Sequence, residues 1–119
     1  MSPFDYAIEK CKETPHRRGY SRHFCVISTK KGKVISEGRN SYYKTHPLTA
    51  KASKRAGKPE KQCICAEVAA LLKDRYRKGY RLTVVRLDSK DNPCLSQPCV
   101  TCIEVLKSFE NIKVVEFST

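Results

Sequence analysis

No stretch of this 119-residue sequence approaches the roughly 18 consecutive apolar residues that a membrane span needs, so no membrane partner is expected. It has no internal repeat and no low-complexity segment. Its first dozen residues mix Asp5, Glu9, Lys10 and Lys12, so they lack the apolar centre of a secretory leader. A secreted disulfide scaffold is therefore not expected. The seven cysteines are an odd number and cannot all pair within one chain. They read as reduced thiols of a cytoplasmic protein, some of them metal ligands. Acidic residues are also scarce, 12 against 24 basic, for a net charge of +12. Such a balance excludes neither an enzyme nor a nucleic-acid binder, but it favours anionic partners. At this length the chain is one domain over residues 1–119, and 39% hydrophobic residues allow a modest core.

The charge is uneven. Residues 1–39 hold nine basic and four acidic side chains, residues 40–62 six and one, and residues 63–119 nine and seven. The middle segment is densest. It opens Asn40-Ser41-Tyr42-Tyr43-Lys44-Thr45-His46-Pro47 and continues through Lys51, Lys54, Arg55, Lys58 and Lys61. With Pro47, Gly57 and Pro59 and no sustained period, it reads mainly as loop. A loop that long in a small domain is functional or a solvated charge run.

Periodicity predicts seven elements. Ser2-Pro3 caps a helix over about Phe4 to Glu13, with Phe4, Ile8 and Cys11 on one face, and Thr14-Pro15 stops it. His23 to Thr29 and Val34 to Gly38 form a hairpin around Lys30-Lys31-Gly32-Lys33. Cys65 to Lys78 reads as a helix stopped by Gly79, and Leu82 to Leu87 as a buried strand. Asp88 to Pro98 reads as a loop, Cys99 to Phe109 as a helix, and Ile112 to Phe117 as a last strand. Alternating helices and strands argue for a three-layer α/β arrangement with helices on both sheet faces.

Two clusters carry chemistry: Cys65-Ala66-Glu67, and Pro98-Cys99-Val100-Thr101-Cys102. Each opens a predicted helix. Cys99 and Cys102, three apart, share one face of a first turn, and Pro98 suits the position before it. The helix N-terminus favours thiolate over thiol. With Cys65 the set offers three protein ligands, and zinc so held keeps a fourth position open, the catalytic pattern. On a regular helix Glu67 points about 200° away from Cys65, but at a helix mouth both can flank one water. A carboxylate there can take a proton and deliver it to a leaving nitrogen.

These residues resemble the zinc-dependent cytidine and deoxycytidylate deaminase superfamily, whose signature is His-or-Cys-x-Glu followed by Pro-Cys-x-x-Cys. The resemblance covers about residues 20–117. It implies a cytidine deaminase-like three-layer α-β-α sandwich with a mixed sheet of four to five strands. It implies Zn²⁺ held by Cys65, Cys99 and Cys102, with Glu67 as the catalytic proton shuttle. The substrate would be a cytosine-containing nucleoside or nucleotide, and ammonia would leave. The backbone near Ala66 would help hold the base, and Asn40, in Gly38-Arg39-Asn40, would contact the sugar. The alternative for Asn40 is a turn-forming role. Relatives often assemble, which leaves a homo-oligomer open.

The family's branches disagree here. Three thiolates leave the zinc site negative, and free-nucleoside deaminases with this ligand set usually place an Arg after Cys-Ala-Glu. This chain has Val68, so helix N-termini or a basic group such as Arg39 must offset the charge. Nucleotide and polynucleotide deaminases share the Gly-x-Asn but usually have His in place of Cys65. Substrate class stays open between nucleoside, monophosphate and single-stranded nucleic acid. A non-catalytic nucleic-acid-binding module closed by a fourth ligand, Cys63, is the rival. Residues 40–62 read as a basic substrate loop, in which Tyr43 can stack on a base and His46 can bond a phosphate or stack. Equally, the tyrosines can pack on the sheet edge. Cys11 and Cys25 read as core, and Cys94 as a loop thiol.

Overall fold

A computed structural model describes residues 2–15, 21–40, 51–52, 54–57, 65–96 and 98–119. Helix α1 spans Pro3–Lys12, with Ser2 as its N-cap. The Ser2 hydroxyl accepts the Asp5 N–H at 3.1 Å, and Pro3 stands where a missing N–H costs nothing. The first two strands, β1 (Arg22–Ser28) and β2 (Val34–Arg39), pair antiparallel through the expected hairpin. Helix α2 (Ala66–Lys73) leads to β3 (Arg81–Leu87), then the short β4 (Pro93–Cys94), α3 (Val100–Leu106) and β5 (Val114–Phe117).

The sheet runs β2-β1-β3, and two strands share the outer side of β3. β4 pairs antiparallel with Arg86 and Leu87, while β5 pairs parallel with Arg81 to Val84. The sheet is therefore mixed and five-stranded. Side-chain alternation in β1 and β3 divides the core. Phe24, Val26, Val85 and Leu87 meet Ala7 and Cys11 of α1 on one face. Cys25, Ile27, Leu82 and Val84 meet Ala66, Val68, Ala70 and Leu71 of α2 and Val105 of α3 on the other. This is the three-layer sandwich read from the sequence, with the period of two deciding which face each residue joins. Among the described residues no helix is long and apolar enough to cross a membrane.

Several boundaries differ from the periodicity. The second helix ends at Lys73 rather than Lys78. The Asp74 carboxylate accepts the N–H groups of Lys78 (3.0 Å) and Gly79 (2.9 Å), so those donors are satisfied outside a helix. The expected loop from Asp88 to Pro98 contains β4, and Pro93 is tolerated because this is an edge. The third helix and last strand are each shorter than expected. Within the basic segment, Lys51, Ala52, Lys54 and Arg55 are helical rather than loop. Ala52 is fully buried in the core beside α2, which anchors that turn.

Gly38 in β2 sets how closely α2 lies on the sheet. A Cβ there would stand 2.6 Å from the Ala70 nitrogen, 2.7 Å from the Ala69 Cβ and 2.8 Å from the Ala66 oxygen. All three are on α2, and two are backbone atoms that cannot swing aside. Ser36 adds a hydroxyl bond to the Ala70 carbonyl at 2.9 Å. Gly38→Ala is expected to destabilise the fold by about 1–3 kcal/mol, the cost of overpacking a tight contact. The measurement is a urea midpoint, and an unchanged midpoint would show that α2 can move away freely.

The Tyr6 hydroxyl donates to the Glu37 carboxylate at 2.6 Å, tying α1 to β2. That bond, then burial and carboxylate charge, pushes the tyrosine from its ordinary value near 10 up to about 12. A raised acid favours its neutral form when folded. The stabilisation is therefore complete below pH 10 and lost as pH rises through 12. Tyr6→Phe is expected to cost about 1 kcal/mol at neutral pH, with the difference from the parent shrinking above pH 10.

Candidate metal centre

Cys65 and Cys99 occupy equivalent positions as the N-cap residues of α2 and α3, both extended, with φ/ψ of −80°/159° and −73°/168°. Neither thiol caps its own helix. The two helix mouths come together at these thiols, joined by Cys102, one turn into α3 and 1% exposed. The three Sγ atoms lie within 4.8 Å of one another. Cys99 and Cys102 approach to 3.5 Å. A tetrahedral zinc with bonds of about 2.3 Å needs sulfurs roughly 3.8 Å apart, so the spacing suits that ion. Among the described residues this is the one cluster of three such groups.

Each half of the cluster has its own support. The α2 half rests on Gly38 and Ser36. The α3 half is held through Ser96, just upstream of Pro98. Its hydroxyl donates to the Val84 carbonyl at 2.8 Å, and its N–H donates to the Ser118 carbonyl at 3.0 Å. The Ser118 hydroxyl in turn donates to the Cys94 carbonyl at 2.6 Å. Sequence reasoning missed this pair, because nothing in composition or spacing links two serines in separate irregular segments.

The electrostatics call for a cation. A hydrogen bond with Cys102 pulls the Cys65 thiol down, but the bond with Cys99, burial and the Glu67 charge outweigh it and push it up to about 12. Hydrogen bonds with Cys65 and Cys99, then burial and Glu67, push Cys102 up as well. Without a positive ion these thiols keep their protons, and a divalent cation supplies the charge that reverses this. The donor set therefore fits zinc. Glu67 lies in the first turn of α2, 6% exposed. Its charge also reaches the fully buried Cys25, whose thiol is raised well above its ordinary value chiefly by burial.

The other residues singled out stand in different surroundings. Ala66 is fully buried at the start of α2. Asn40 stands at the end of β2, where its carboxamide accepts the His23 N–H (3.1 Å) and donates to the Ser21 carbonyl (3.0 Å). It pins the start of β1, and a carboxamide still has one donor and one acceptor position to spare. Tyr43, His46 and Cys63 lie outside the described residues, as does most of the segment 40–62. Of the remaining thiols, Cys11 and Cys25 are buried in the two cores, and Cys94 is half-buried in β4. Arg39 does not approach the thiols. Its guanidinium lies 5.0 Å from the Phe24 ring centroid, on the α1 face of the sheet. Val68 is fully buried, so no charge follows Glu67. The mouths of α2 and α3 place partial positive charge beside the thiols.

Comparison with known proteins agrees with this geometry. A family model described as the cytidine and deoxycytidylate deaminase zinc-binding region matches residues 4–119. Comparison with curated proteins finds no match. Among solved structures, the chain is similar to cytidine deaminase from Burkholderia pseudomallei, with 18% identity and a TM-score of 0.60, over 94% of this chain and 79% of that one. It is also similar to the cytidine deaminase of Mycobacterium leprae, with 16% identity and a TM-score of 0.53, over 92% and 81%. The fold is thus cytidine deaminase-like.

The cluster predicts one zinc per chain. Cys99→Ser and Cys102→Ser are each expected to lose most of it, whereas Cys94→Ser, outside the cluster, should retain it. Metal content of the purified proteins measures this, and equal zinc in all four would rule the cluster out as the site.

Proposed function

The chain belongs to the zinc-binding cytidine and deoxycytidylate deaminase family, and from that premise we propose that it hydrolyses the amino group of cytosine in a nucleoside or nucleotide. The products are uracil and ammonia. The observation that carries this reading is a buried carboxylate, Glu67, beside three convergent thiols at two helix mouths.

In this reading Cys65, Cys99 and Cys102 hold the zinc, which when bound acts as a Lewis acid and makes water nucleophilic near neutral pH. Glu67 receives a proton from the attacking water and passes it to the departing nitrogen, so the carboxylate is regenerated each turnover. Its burial serves this role, since a water-poor site strengthens each electrostatic contact. The backbone at Ala66 holds the base, and the spare positions of the Asn40 carboxamide contact the sugar. Tyr43 and His46 belong to the substrate segment 40–62. The basic balance of the chain favours a phosphate-bearing substrate. We place the enzyme in the cytoplasm, where its thiols stay reduced.

The test is ammonia release from a panel of cytidine, deoxycytidine, their monophosphates and a cytosine-containing single strand. The monophosphates are expected to react fastest. Glu67→Gln should lower the rate about 10²- to 10⁴-fold while keeping one zinc per chain. If Glu67→Gln matched the parent on every substrate, the enzyme reading would fail. Loss of a full zinc equivalent in Cys63→Ser would instead favour a closed four-cysteine site.

A further inference from the structure

The end of the sheet away from the thiols has a character of its own. α2 starts beside Gly38 and finishes at Asp74, whose carboxylate holds Gly79 at the head of β3. Eight residues at about 1.5 Å each separate the two ends of this helix by about 12 Å. Three connections gather at the far end: residues 29–33, 74–80 and 107–113. Together they carry three, three and two basic side chains, against two acidic ones, Asp74 and Glu110. Asp74 is buried and occupied with backbone donors, which leaves Glu110 as the one exposed carboxylate there.

These connections are fastened to each other. The Lys30 ammonium lies 5.7 Å from the Tyr80 ring centroid. The Arg77 guanidinium stacks 4.5 Å over Phe109 and donates to the Ser108 carbonyl at 2.8 Å. The Asn111 amide donates to the Gly79 carbonyl at 2.9 Å. Arg77 adopts φ 51°, a left-handed backbone that a long side chain rarely takes, and these contacts hold it there. The turn is therefore set, and it presents Tyr76 with 84% of its surface exposed. Lys78 lies 5.8 Å from that ring, and Arg75 precedes it. Among the described residues, Lys30, Lys31, Arg75 and Lys78 form no ion pair with a carboxylate.

We propose that this end of the sheet binds single-stranded nucleic acid, at a site separate from the metal centre. Tyr76 stacks on an unpaired base, while Arg75, Lys78, Lys30 and Lys31 meet the flanking phosphates. An exposed ring set among unpaired cations is the arrangement that a strand with free base faces can use in full. A duplex or an anionic lipid surface matches the cations but offers no unstacked base to the ring. Because the turn is already fixed, little ordering is lost on binding.

The test uses the whole chain and a fluorescent oligothymidylate of about 15 nucleotides, read by anisotropy. Thymine has no amino group to lose, so this binding is measured apart from ammonia release. Either property can then fail without the other. Tyr76→Ala is expected to weaken binding about tenfold, and Tyr76→Phe to bind like the parent, since stacking needs the ring and not the hydroxyl. Arg75→Gln and Lys78→Gln should each lower the slope of log affinity against log salt by about 0.7. Deamination of a free nucleoside should be unchanged in all four. The proposal is overturned if Tyr76→Ala binds as tightly as the parent. It is equally overturned if a duplex, or phosphatidylserine vesicles, displace the strand as well as unlabelled oligothymidylate does.

Discussion

Backbone-to-backbone contact between α2 and β2 at Gly38 is the constraint from which the rest of the site follows. With no side chain at that position, the helix lies on the strand. Its mouth, carrying Cys65 and Glu67, is thereby fixed relative to the sheet. The second half of the thiol cluster arrives from a different part of the chain, through α3, and is fixed to the same sheet by Ser96 and Ser118. Both halves are referred to one rigid frame, so three sulfurs from two segments meet within a few ångströms without a disulfide. A bound ion would join two preassembled halves instead of ordering them from scratch, and less of its binding free energy is spent on folding.

The site is electrostatically the inverse of its surroundings. A chain of net charge +12 places three thiols and a carboxylate together, with Cys102 and Glu67 buried and Cys65 and Cys99 half-buried. Arg39 lies on the opposite face of the sheet, and the position after Glu67 is apolar. Peptide dipoles at two helix mouths and the metal itself supply local compensation. The basic surplus acts at longer range, on whatever anion approaches.

Much of this was legible in the sequence. The two cysteine motifs, their positions at helix starts and the alternation in β1 and β3 were each readable locally, and each carries a mechanism. The layer order follows from that alternation. What was hidden depends on partners distant in sequence. β4 was invisible because two residues make no period. The end of α2 was misread because Gly79 looked like the stop signal, whereas Asp74 captures the backbone five residues earlier. Gly38 was noticed for its neighbour Asn40, and its packing role needed the helix in place. Asn40 also bonds the start of β1, a contact that its place in the sequence does not announce.

The pairing of β1 with β3 spans from Ser28 to Arg81 in the tightest register and encloses the whole basic segment. The chain therefore closes a long loop before its central strands can meet. Entropy makes such closure slow to achieve but nearly indifferent to length, since doubling a loop costs only about 0.6 kcal/mol. Apart from the turn that Ala52 anchors in the core, the length of the stretch between Asn40 and Cys65 can consequently change at little entropic cost. The frame that carries the thiols is fixed by packing, whereas the length of the connection that closes it is only weakly constrained.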